Sequence, residues 1–374
     1  MQQKVILLGP GNVGRTFIQQ VLKYDGVSAE KHSNPTVIVG VVTPSSLLFN
    51  AYGLSDERLQ KVINDKDLKG DDLQVINNMT EVLDKVEKAG LNGEVVFVDA
   101  TAAKDAMKDF HLQIIEESDN GVVTANKNPV SLYDTETYKR LTKNLRYQYT
   151  TTVMAGSGIV RFLRGTRKIS DQVHSIQGMF SGTLGFITSE LDKGRKISEI
   201  VKEAKENGYT EPNPWDDLNG LDVARKLVIL ARGAGFNVTV QDIDIQAMLP
   251  EKYGKLESVD AFLEGIKEED ESFMKKVGDA EKEGKVLRYV AELEYKNNNL
   301  KLFVGLKSVL KDSPLGRLSG TANFVQVITD VYTESNPYIL QTPGAGLPVT
   351  AASLRKDLLS FLPQRLGHSK AFSK

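Results

Sequence analysis

The sequence lacks cysteine altogether, and it lacks any long apolar run. Without cysteine, disulfides, zinc–thiolate sites and iron–sulfur clusters are excluded, and a reducing compartment is the simplest setting for the chain. A membrane span needs roughly 18 consecutive apolar residues, and the apolar run near the N-terminus is too short for a signal peptide. These absences predict a cytoplasmic protein that has no membrane partner.

An excess of charge of either sign is also missing, since 47 lysines and arginines face 49 aspartates and glutamates, for a formal net charge of −2. Binding to a phosphate backbone needs a positive face, so nucleic acid is not expected as the main partner. The 374 residues, 40% hydrophobic and 26% charged, are typical of a globular chain. At roughly 100–200 residues per domain, this length predicts two or three domains.

The first 150 residues alternate strand-like apolar runs with helical patterns. The strand-like runs are residues 4–9, 36–42, 94–101 and 121–127. Residues 45–92 are charged and mostly helical in pattern. This alternation predicts a doubly wound parallel sheet of the Rossmann type. Beyond about residue 150 strands and helices mix, with charged helices over 257–286 and then a hairpin around the turn sequence KNNN.

A glycine motif, GPGNVG, follows the first predicted strand and opens the first predicted helix. Its spacing is that of a dinucleotide-binding turn: Gly9 permits the tight turn, Gly11 lets a pyrophosphate approach the backbone, and Gly14 lets helix and strand pack closely. The helix N-terminus adds free N–H groups and a partial positive charge. A purely structural glycine turn is the alternative, but the strand before it and the helix after it favour a dinucleotide site.

The end of the second predicted strand lacks the acidic residue that would select NAD. A carboxylate there holds the ribose 2′-hydroxyl and would repel a 2′-phosphate, whereas this chain has Thr43, Ser45 and Ser46. Arg15, close to the glycine motif, could assist a phosphate or could be a solvated helix residue. The pattern favours NADP, or the use of both cofactors, and leaves NAD open.

Two further residues lie where predicted strands end, at the edge where parallel sheets bind their ligands. Thr101 closes the third strand-like run, and Lys127 is the last residue of the fourth. Thr101 could contact the cofactor or cap the next helix. Lys127 could serve a nicotinamide pocket or be a plain solvent-facing charge.

The stretch GYTEPNPWDDLNGLDVARK concentrates carboxylates ahead of a helical pattern. Asp222 and Lys226 are four residues apart and can meet on one helix face. A surface ion pair at an acid-rich helix start is one reading, but it leaves Glu211, in a rigid entry rich in proline, unexplained. Carboxylates around one lysine suit an amino-acid substrate, because acids hold its ammonium while the lysine acts as general acid or base. The four histidines lie outside these motifs: His32, His111, His174 and His368.

From Ala204 to Lys226 the chain resembles the homoserine dehydrogenases. It matches their signature A-x-x-x-G-[aromatic or aliphatic]-[small]-E-P-[D/N]-P-x-x-D-[aliphatic]-x-G-x-D-x-x-x-K at every constrained position. The resemblance extends to the glycine motif and to residues 124–127, 178–187 and 344–352, and so it covers nearly the whole chain. It implies an enzyme that interconverts L-homoserine and L-aspartate 4-semialdehyde with NAD or NADP, in the biosynthesis of threonine, methionine and isoleucine.

The resemblance also implies residue roles. Lys226 matches the catalytic proton donor to the aldehyde oxygen, and Lys127 matches a second active-site lysine. Residues matching the family's substrate-binding positions are Glu211 and Asp222 for the amino group, the nearby carboxylate Asp217, and Gly182 and Thr183 in the substrate loop. With the glycine motif and the strand ends, the predicted cofactor contacts are Gly9, Gly11, Asn12, Val13, Gly14, Thr43, Thr101, Lys127 and Gly346.

One segment departs from the family pattern. Family members carry a Glu whose carboxylate, with backbone carbonyls, holds a sodium-type ion; here Thr150 replaces that Glu and Gly158 replaces a Pro. Carbonyls of Val153, Ala155 and Ser157 could still form part of a site. Because a hard cation loses its strongest oxygen ligand without the carboxylate, we expect at most a weakly bound monovalent cation.

The resemblance further implies the domain plan. A dinucleotide-binding domain spans 1–149 and is completed by a C-terminal helix in 343–374, while an α+β domain with a mixed sheet, over 150–342, binds substrate and dimerises. We expect a homodimer of the short type, without a fused aspartate kinase or ACT domain. Two alternatives stay open: a related Rossmann reductase that acts on a different amino-acid aldehyde or keto acid, and a non-catalytic dinucleotide-binding protein.

Overall fold

The structure, a computed structural model, describes residues 3–25, 36–65, 68–343 and 346–361. The chain divides into two compact units, the first comprising Met1–Gly156 and Gly346–Lys374 and the second comprising Ser157–Ala345. It therefore crosses from one unit to the other twice. Within the described ranges, no helix is long and apolar enough to cross a membrane.

The first unit begins with strands and helices that alternate along the chain. The strands are β1 (Gln3–Leu8), β2 (Thr36–Val42), β3 (Ser46–Phe49), β4 (Leu73–Val75), β5 (Val95–Asp99), β6 (Gly121–Thr124) and β7 (Tyr147–Gln148). The helices are α1 (Asn12–Gln20), α2 (Asp56–Asn64), α3 (Thr80–Lys88), α4 (Asp105–Glu117), α5 (Asn128–Ser131) and α6 (Thr135–Thr142). A π-helical turn, Val21–Asp25, continues α1, and two 3₁₀ turns, Thr150–Thr152 and Met154–Gly156, lead to the end of this part of the chain.

The sheet of the first unit has seven strands in the order β4-β3-β2-β1-β5-β6-β7. The five strands from β2 to β7 in that order are parallel to one another. The central strands are buried almost throughout, as a parallel sheet requires, because it is covered on both faces. This confirms the predicted doubly wound sheet.

The interpretation of residues 45–92 as mostly helical is wrong in part. Helices α2 and α3 lie there, but so do β3 and β4, which extend the sheet with two antiparallel pairings. A tight turn reverses the chain after β2, where the N–H of Thr43 donates to the carbonyl of Ser46 at 2.9 Å. Strands of three and four residues are too short to show an alternating pattern against their charged surroundings.

The second unit contains six strands and seven helices among the residues described. Its helices are α7 (Ile159–Lys168), α8 (Gly182–Leu191), α9 (Ile197–Glu206), α10 (Trp215–Leu218), α11 (Leu221–Gly233), α12 (Val259–Gly265) and α13 (Asp270–Lys282). Its strands are β8 (Val173–Met179), β9 (Asp244–Ile245), β10 (Lys285–Lys296), β11 (Asn299–Leu310), β12 (Ala322–Thr329) and β13 (Tyr338–Pro343). The predicted charged helices over 257–286 are α12 and α13, joined by a short 3₁₀ turn, Ile266–Glu269.

The sheet of the second unit has the strand order β13-β12-β8-β10-β11-β9. Its pairings are antiparallel except that of β9 with β11, which is parallel, so the sheet is mixed as predicted. The KNNN hairpin is confirmed: β10 and β11 are joined by Asn297 and Asn298, with φ of 52° and 60°. A two-residue hairpin turn of type I′ needs φ > 0 at both positions, and asparagine tolerates that conformation.

The chain then returns to the first unit through helix α14 (Leu347–Leu358) and a 3₁₀ turn, Leu359–Phe361. Ala351, Leu354 and Leu358 of this helix are buried in the same hydrophobic cluster as Phe17 of α1 and Val123 of β6. A separate cluster in the second unit joins Met179, Val290, Leu315, Leu318 and Phe324. Each unit therefore has apolar core residues of its own.

Candidate active site

The glycine turn follows β1 in the first unit, and its three glycines are in three different environments. Gly9 has φ of 83°, its N–H donates to the carbonyl of Val42 at 2.9 Å, and an added Cβ would lie 2.6 Å from Cγ2 of Thr101. A Cβ on Gly14 would overlap the carbonyl oxygen of Gly9, so α1 packs directly on the turn. A Cβ on Gly11 would meet nothing within 4 Å. The open backbone at Gly11 fits the close approach of a pyrophosphate.

The start of α1 is suited to an anion. Gly11 precedes the helix without a side-chain cap, and the first turn contains no acidic residue. The N–H groups of Asn12 and Val13 belong to the first turn, whose N–H groups have no acceptor within the helix. Together with the helix dipole, these groups fit a phosphate.

The end of β2 lacks a carboxylate, as the sequence indicates. Thr43 is half-buried, and its hydroxyl lies 3.4 Å from the carbonyl oxygen of Ser46. Pro44 and Ser45, in the turn to β3, are exposed. Nothing in this turn carries a negative charge that would repel a 2′-phosphate.

The end of β5 holds a carboxylate that the sequence reasoning missed. Asp99 is fully buried; its Oδ1 accepts the N–H of Thr101 at 2.8 Å and its Oδ2 accepts the hydroxyl of Thr124 at 3.2 Å. His111 of α4, also fully buried, has Nε2 3.3 Å from Oδ2 of Asp99 and Nδ1 3.0 Å from the hydroxyl of Tyr147. Burial, and then the charge of Asp99, raise the pKa of Tyr147 well above its ordinary value. A charged residue that ends an apolar strand was the signal available in the sequence.

Of the other three histidines, the structure describes only His174. His174 is on the surface of the second unit, where its Nε2 lies 2.7 Å from Asp330 and lowers the pKa of that carboxyl. His32 and His368 lie outside the described residues.

Lys127 immediately precedes α5 and is half-buried between two buried asparagines, Asn126 and Asn128. Its backbone carbonyl accepts the hydroxyl of Ser131 at 2.7 Å. The lysine thus sits on a fixed backbone at the carboxyl end of β6, the same edge of the sheet as Thr101.

Gly346 directly precedes α14, and its carbonyl accepts the N–H and the hydroxyl of Thr350, both at 3.0 Å. Helix α14 is tied to α1 through the side-chain amide of Gln20, which donates to the carbonyl of Pro348 at 2.8 Å. Gly346 therefore belongs to the same unit as the glycine turn. Gly344 and Ala345 lie outside the described residues.

In the second unit, Lys226 is on the first turns of α11, where Gly220 starts the helix. Its Nζ lies 2.8 Å from Oδ2 of Asp222 and donates to the carbonyl of Phe180 at 2.7 Å. The side chain of Lys226 is 14% exposed, against 32% for Asp222. An ammonium so held between a carboxylate and a carbonyl is oriented, and it keeps a route to solvent or ligand.

A second group of predicted substrate residues meets around Asp217, near the end of α10. Oδ1 of Asp217 accepts the hydroxyl of Thr183 at 3.2 Å, and Oδ2 accepts the N–H of Glu211 at 2.7 Å. The Thr183 hydroxyl also lies 2.5 Å from the carbonyl of Tyr209. The pKa of Asp217 is raised to about 6, mainly by desolvation. The charges of Glu211 and Asp222 also raise this pKa, whereas the two hydrogen bonds lower it. Asp217, Glu211 and Asp222 are thus close enough to interact.

Glu211 and Gly182 border this group. Glu211 is exposed, and its carboxylate has no ion-pair partner in the described part of the chain. Gly182 is the first residue of α8, directly after the capping residue Ser181, and an added Cβ there would lie 3.3 Å from the carbonyl oxygen of Thr321. The start of α8 therefore packs closely on its neighbour.

In the segment predicted to bind a cation weakly, hydroxyl and carbonyl groups make hydrogen bonds within the protein. The hydroxyl of Thr150 donates to Oδ1 of Asp357 on α14, and that of Thr151 to Oδ2 at 3.2 Å. The carbonyl of Val153 accepts the N–H of Gly156 at 3.1 Å. That of Ala155 accepts the hydroxyl of Ser353 at 2.6 Å. Ser157, the last residue predicted for this site, belongs to the second unit.

Asp357 is fully buried, and sequence reasoning missed it. It supplies a carboxylate beside the position where the family has its Glu, but both of its oxygens already accept hydroxyl groups. Among the residues that the structure describes, no group of three or more acidic or histidine side chains is arranged to hold a metal ion.

The chain thus belongs to a class of two-unit proteins in which a Rossmann-type unit is joined to an α+β unit that holds a lysine among carboxylates. Comparison with known sequences identifies the family within that class. The family described as homoserine dehydrogenase matches residues 159–359, more than half of the chain. The chain belongs to the homoserine dehydrogenase family.

Its relatives include a chloroplastic bifunctional aspartokinase/homoserine dehydrogenase from Daucus carota, 32% identical over 94% of this chain. The match covers 38% of that relative, so the chain spans well under half the length of such bifunctional proteins. A Candida auris protein of unknown function has a crystal structure with a TM-score of 0.85 and 30% identity, covering 97% of this chain and 99% of that one. A hyperthermophilic archaeal homoserine dehydrogenase mutant, solved with NADPH, has a TM-score of 0.71 at 20% identity and covers 97% and 98%.

Proposed function

We propose that this protein is an NAD(P)-dependent oxidoreductase that interconverts L-homoserine and L-aspartate 4-semialdehyde, a step in threonine, methionine and isoleucine biosynthesis. The observation that supports this most directly is the placement of Lys226. Its ammonium is held between Asp222 and the carbonyl of Phe180. A lysine on the surface would not need two partners and a side chain that is only 14% exposed.

The carboxylates nearby suit the substrate's ammonium group. Glu211 is exposed without an ion-pair partner in the described part of the chain, and Asp222 is only partly buried. Asp217 lies behind them and holds the backbone of Glu211 and the hydroxyl of Thr183. We propose that Glu211 and Asp222 bind the amino group, while Asp217, Thr183 and Gly182 shape the loop around it. Holding the substrate in one orientation makes the chemical step effectively intramolecular.

Lys226 is the proposed proton donor. In the reductive direction negative charge grows on the aldehyde oxygen, and an oriented ammonium both stabilises that charge and supplies the proton. In the oxidative direction the same amine takes the proton back from the hydroxyl of homoserine. Lys127, on its fixed backbone at the carboxyl end of β6, is proposed as the second lysine of the site.

The first unit fits a dinucleotide, because Gly11 is open and the start of α1 can receive a phosphate. When bound, the nicotinamide group supplies or accepts the hydride. The proposed contacts are the glycine turn, Thr43, Thr101, Lys127 and Gly346. We favour NADP, because the turn after β2 has no carboxylate, and a homoserine dehydrogenase of similar fold has been solved with NADPH.

Three further predictions concern the protein's surroundings. Val153, Ala155 and Ser157 would hold a monovalent cation only weakly, so no step of the reaction is assigned to it.

The homodimer, implied by the family resemblance, can be tested by size-exclusion chromatography with light scattering. The cytoplasmic location stays a prediction from composition.

A spectrophotometric assay tests the proposed function. The purified protein should oxidise NADPH only when L-aspartate 4-semialdehyde is present, and NADH more slowly at matched concentration. Equal or faster rates with NADH would contradict the preference for NADP while leaving the reaction in place. Cofactor binding without oxidation would contradict the proposed substrate, and a panel of other amino-acid aldehydes and keto acids would then find the alternative.

A further inference from the structure

A closed ring of hydrogen bonds lies under the proposed cofactor edge of the first unit. Asp99 accepts the N–H of Thr101 at 2.8 Å and the hydroxyl of Thr124 at 3.2 Å. Thr124 accepts the N–H of Asn126 at 2.9 Å, and the side-chain amide of Asn126 donates to the hydroxyl of Thr101 at 3.2 Å. These four residues, called the Asp99 ring below, join the ends of β5 and β6.

Three corners of the Asp99 ring are buried and one is not. Asp99 and Thr124 are fully buried and Asn126 is 3% exposed, whereas Thr101 is half-buried. Buried polar groups that are fully hydrogen-bonded hold one arrangement firmly. The ring therefore fixes the side chain of Thr101, its only partly exposed corner, at the carboxyl edge of the sheet.

The orientation of the Asn126 amide is set by backbone groups. Its Nδ2 donates to the carbonyl of Ala103 at 2.8 Å, and its Oδ1 accepts the N–H of Asn128 at 3.1 Å. A carbonyl can only accept and an N–H can only donate, so the two ends of the amide cannot be exchanged. The group that faces Thr101 is thus a donor.

The Thr101 hydroxyl is available to a ligand only as a hydrogen-bond donor. Its oxygen accepts from Asn126 and from the N–H of Ala103, at 3.2 and 3.4 Å. A hydroxyl has two acceptor positions and one hydrogen, and both acceptor positions are used. No acceptor for its hydrogen is found among the described residues. The methyl group of Thr101 packs against Gly9, which fixes the side chain from the other side.

We propose that Asn126 is a positioning residue that makes the Thr101 hydroxyl a dedicated hydrogen-bond donor to an acceptor oxygen of the bound dinucleotide. The proposal rests on the proposed function, since it assumes a dinucleotide at this edge. It predicts that Asn126 contributes to cofactor affinity only through Thr101. A merely structural asparagine would affect affinity whether or not that hydroxyl is present.

A double-mutant cycle on NADPH affinity, followed by the fluorescence of NADPH, separates these cases. The variants are Thr101→Val, Asn126→Ala and the double variant of the intact chain. Each single change should weaken NADPH binding by about three- to tenfold, the usual worth of one hydrogen bond. The double variant should be no weaker than Thr101→Val alone, to within about twofold. Thr101→Ser keeps the hydroxyl and should restore most of the affinity.

Asn120 provides a matched control at the opposite end of β6. It is 1% exposed, and its amide also bonds the backbone, accepting the N–H of Gly93 at 2.9 Å. Asn120→Ala should lower the unfolding temperature without coupling to Thr101→Val. If Asn126→Ala does not fold, Asn126→Asp keeps its size but cannot donate. The new charge is present both with and without Thr101→Val, so its own effect on NADPH affinity cancels in the cycle.

The outcomes distinguish the two proposals. Additive effects of Asn126→Ala and Thr101→Val, in a wild-type protein that binds NADPH, would overturn the role of Asn126 and leave the proposed function standing. Equal coupling of Asn120→Ala to Thr101→Val would also overturn that role. A wild-type protein that binds neither NADPH nor NADH would overturn both the role of Asn126 and the proposed cofactor.

Discussion

At the scale of single residues, Lys226 carries the proposed chemistry, and its replacement should slow turnover strongly. Lys226→Met keeps the aliphatic stem and removes the ammonium between Asp222 and the carbonyl of Phe180. Loss of a general acid typically costs about 10²- to 10⁴-fold in rate. We expect kcat for homoserine oxidation to fall in that range, while NADPH affinity measured by fluorescence stays within about twofold of the wild-type value.

Lys202 is a matched control, because it pairs with Glu206 across one helix turn at 4.0 Å with both side chains largely exposed. Lys202→Met should leave kcat unchanged, since exposed pairs of this kind contribute little. Wild-type turnover in Lys226→Met, or an equal loss in both variants, would remove Lys226 from the mechanism.

Protonation of Asp217 should lower kcat/KM at acidic pH and so give the pH profile an acidic limb. Its pKa is raised to about 6, first by desolvation, so the carboxylate is the main form at pH 7 and the neutral acid at pH 5. In the neutral form one carboxyl oxygen carries a hydrogen. The group can then no longer accept both the N–H of Glu211 and the hydroxyl of Thr183 as it does when ionised. Because kcat/KM reports the free enzyme, it should fall about tenfold per pH unit below pH 6.

The measurement is a pH profile of kcat/KM for homoserine in wild type, Asp217→Asn and Asp216→Asn. Asp217→Asn should have lower activity and lack this limb, whereas Asp216, the exposed neighbour, should be dispensable. An unchanged limb in Asp217→Asn would assign the titration to another group.

The sequence predicted contacts within one element better than contacts between elements. The pair of Lys226 and Asp222 follows from a spacing of four on a helix. The bond between Thr183 and Asp217 does not, because 34 residues separate them and no local pattern says that α8 and α10 meet. The same holds for Thr150 and Asp357, which are 207 residues apart. The sequence predicted the helix that contains Asp357. Its periodicity alone did not predict that this carboxylate is buried.

At the scale of elements, Gly220 determines where α11 begins and so where Asp222 and Lys226 lie. It has φ of 76°, and an added Cβ would overlap the hydroxyl of Tyr289, which is bonded to the carbonyl of Gln246. Gly220→Ala should therefore combine backbone strain of about 1–2 kcal/mol with displacement of that hydroxyl. We expect a lower unfolding temperature together with a loss of kcat.

Gly208 is the control for the strain alone, since its φ is 70° and an added Cβ would meet nothing within 4 Å. Gly208→Ala should destabilise the protein by the strain only and should keep more activity. The two unfolding midpoints in urea, with kcat for each variant, are the measurements. Equal losses in both would show that the contact with Tyr289 does not fix the start of α11.

The elements themselves were predicted where their pattern was long. The strand, glycine turn and helix at the N-terminus and the hairpin of β10 and β11 have enough residues for periodicity and turn chemistry to agree. β3 and β4, with four and three residues, do not. β7, with two residues, is defined by its pairing with β6 and not by its own sequence. Pairing of this kind is tertiary, and a local pattern does not contain it.

At the scale of the whole molecule, the division into two units predicts that the second can be separated. It is one continuous segment, Ser157–Ala345, and it has its own apolar cluster. It also contains Trp215, the only tryptophan of the chain, next to the carboxylates of α10. A fragment of residues 157–345 should therefore fold, with cooperative urea unfolding followed by the fluorescence of Trp215.

That fragment also tests which unit binds the dinucleotide. The glycine turn, Thr43 and Thr101 belong to the first unit, so the fragment should show no energy transfer from Trp215 to added NADPH and no stabilisation by it. The full chain should be stabilised, by about 2.7 kcal/mol at a hundred times Kd. Binding of NADPH by the fragment would contradict the assignment of the cofactor to the first unit. A fragment that does not unfold cooperatively would contradict the independence of the second unit, because its own core would then be insufficient without the rest of the chain.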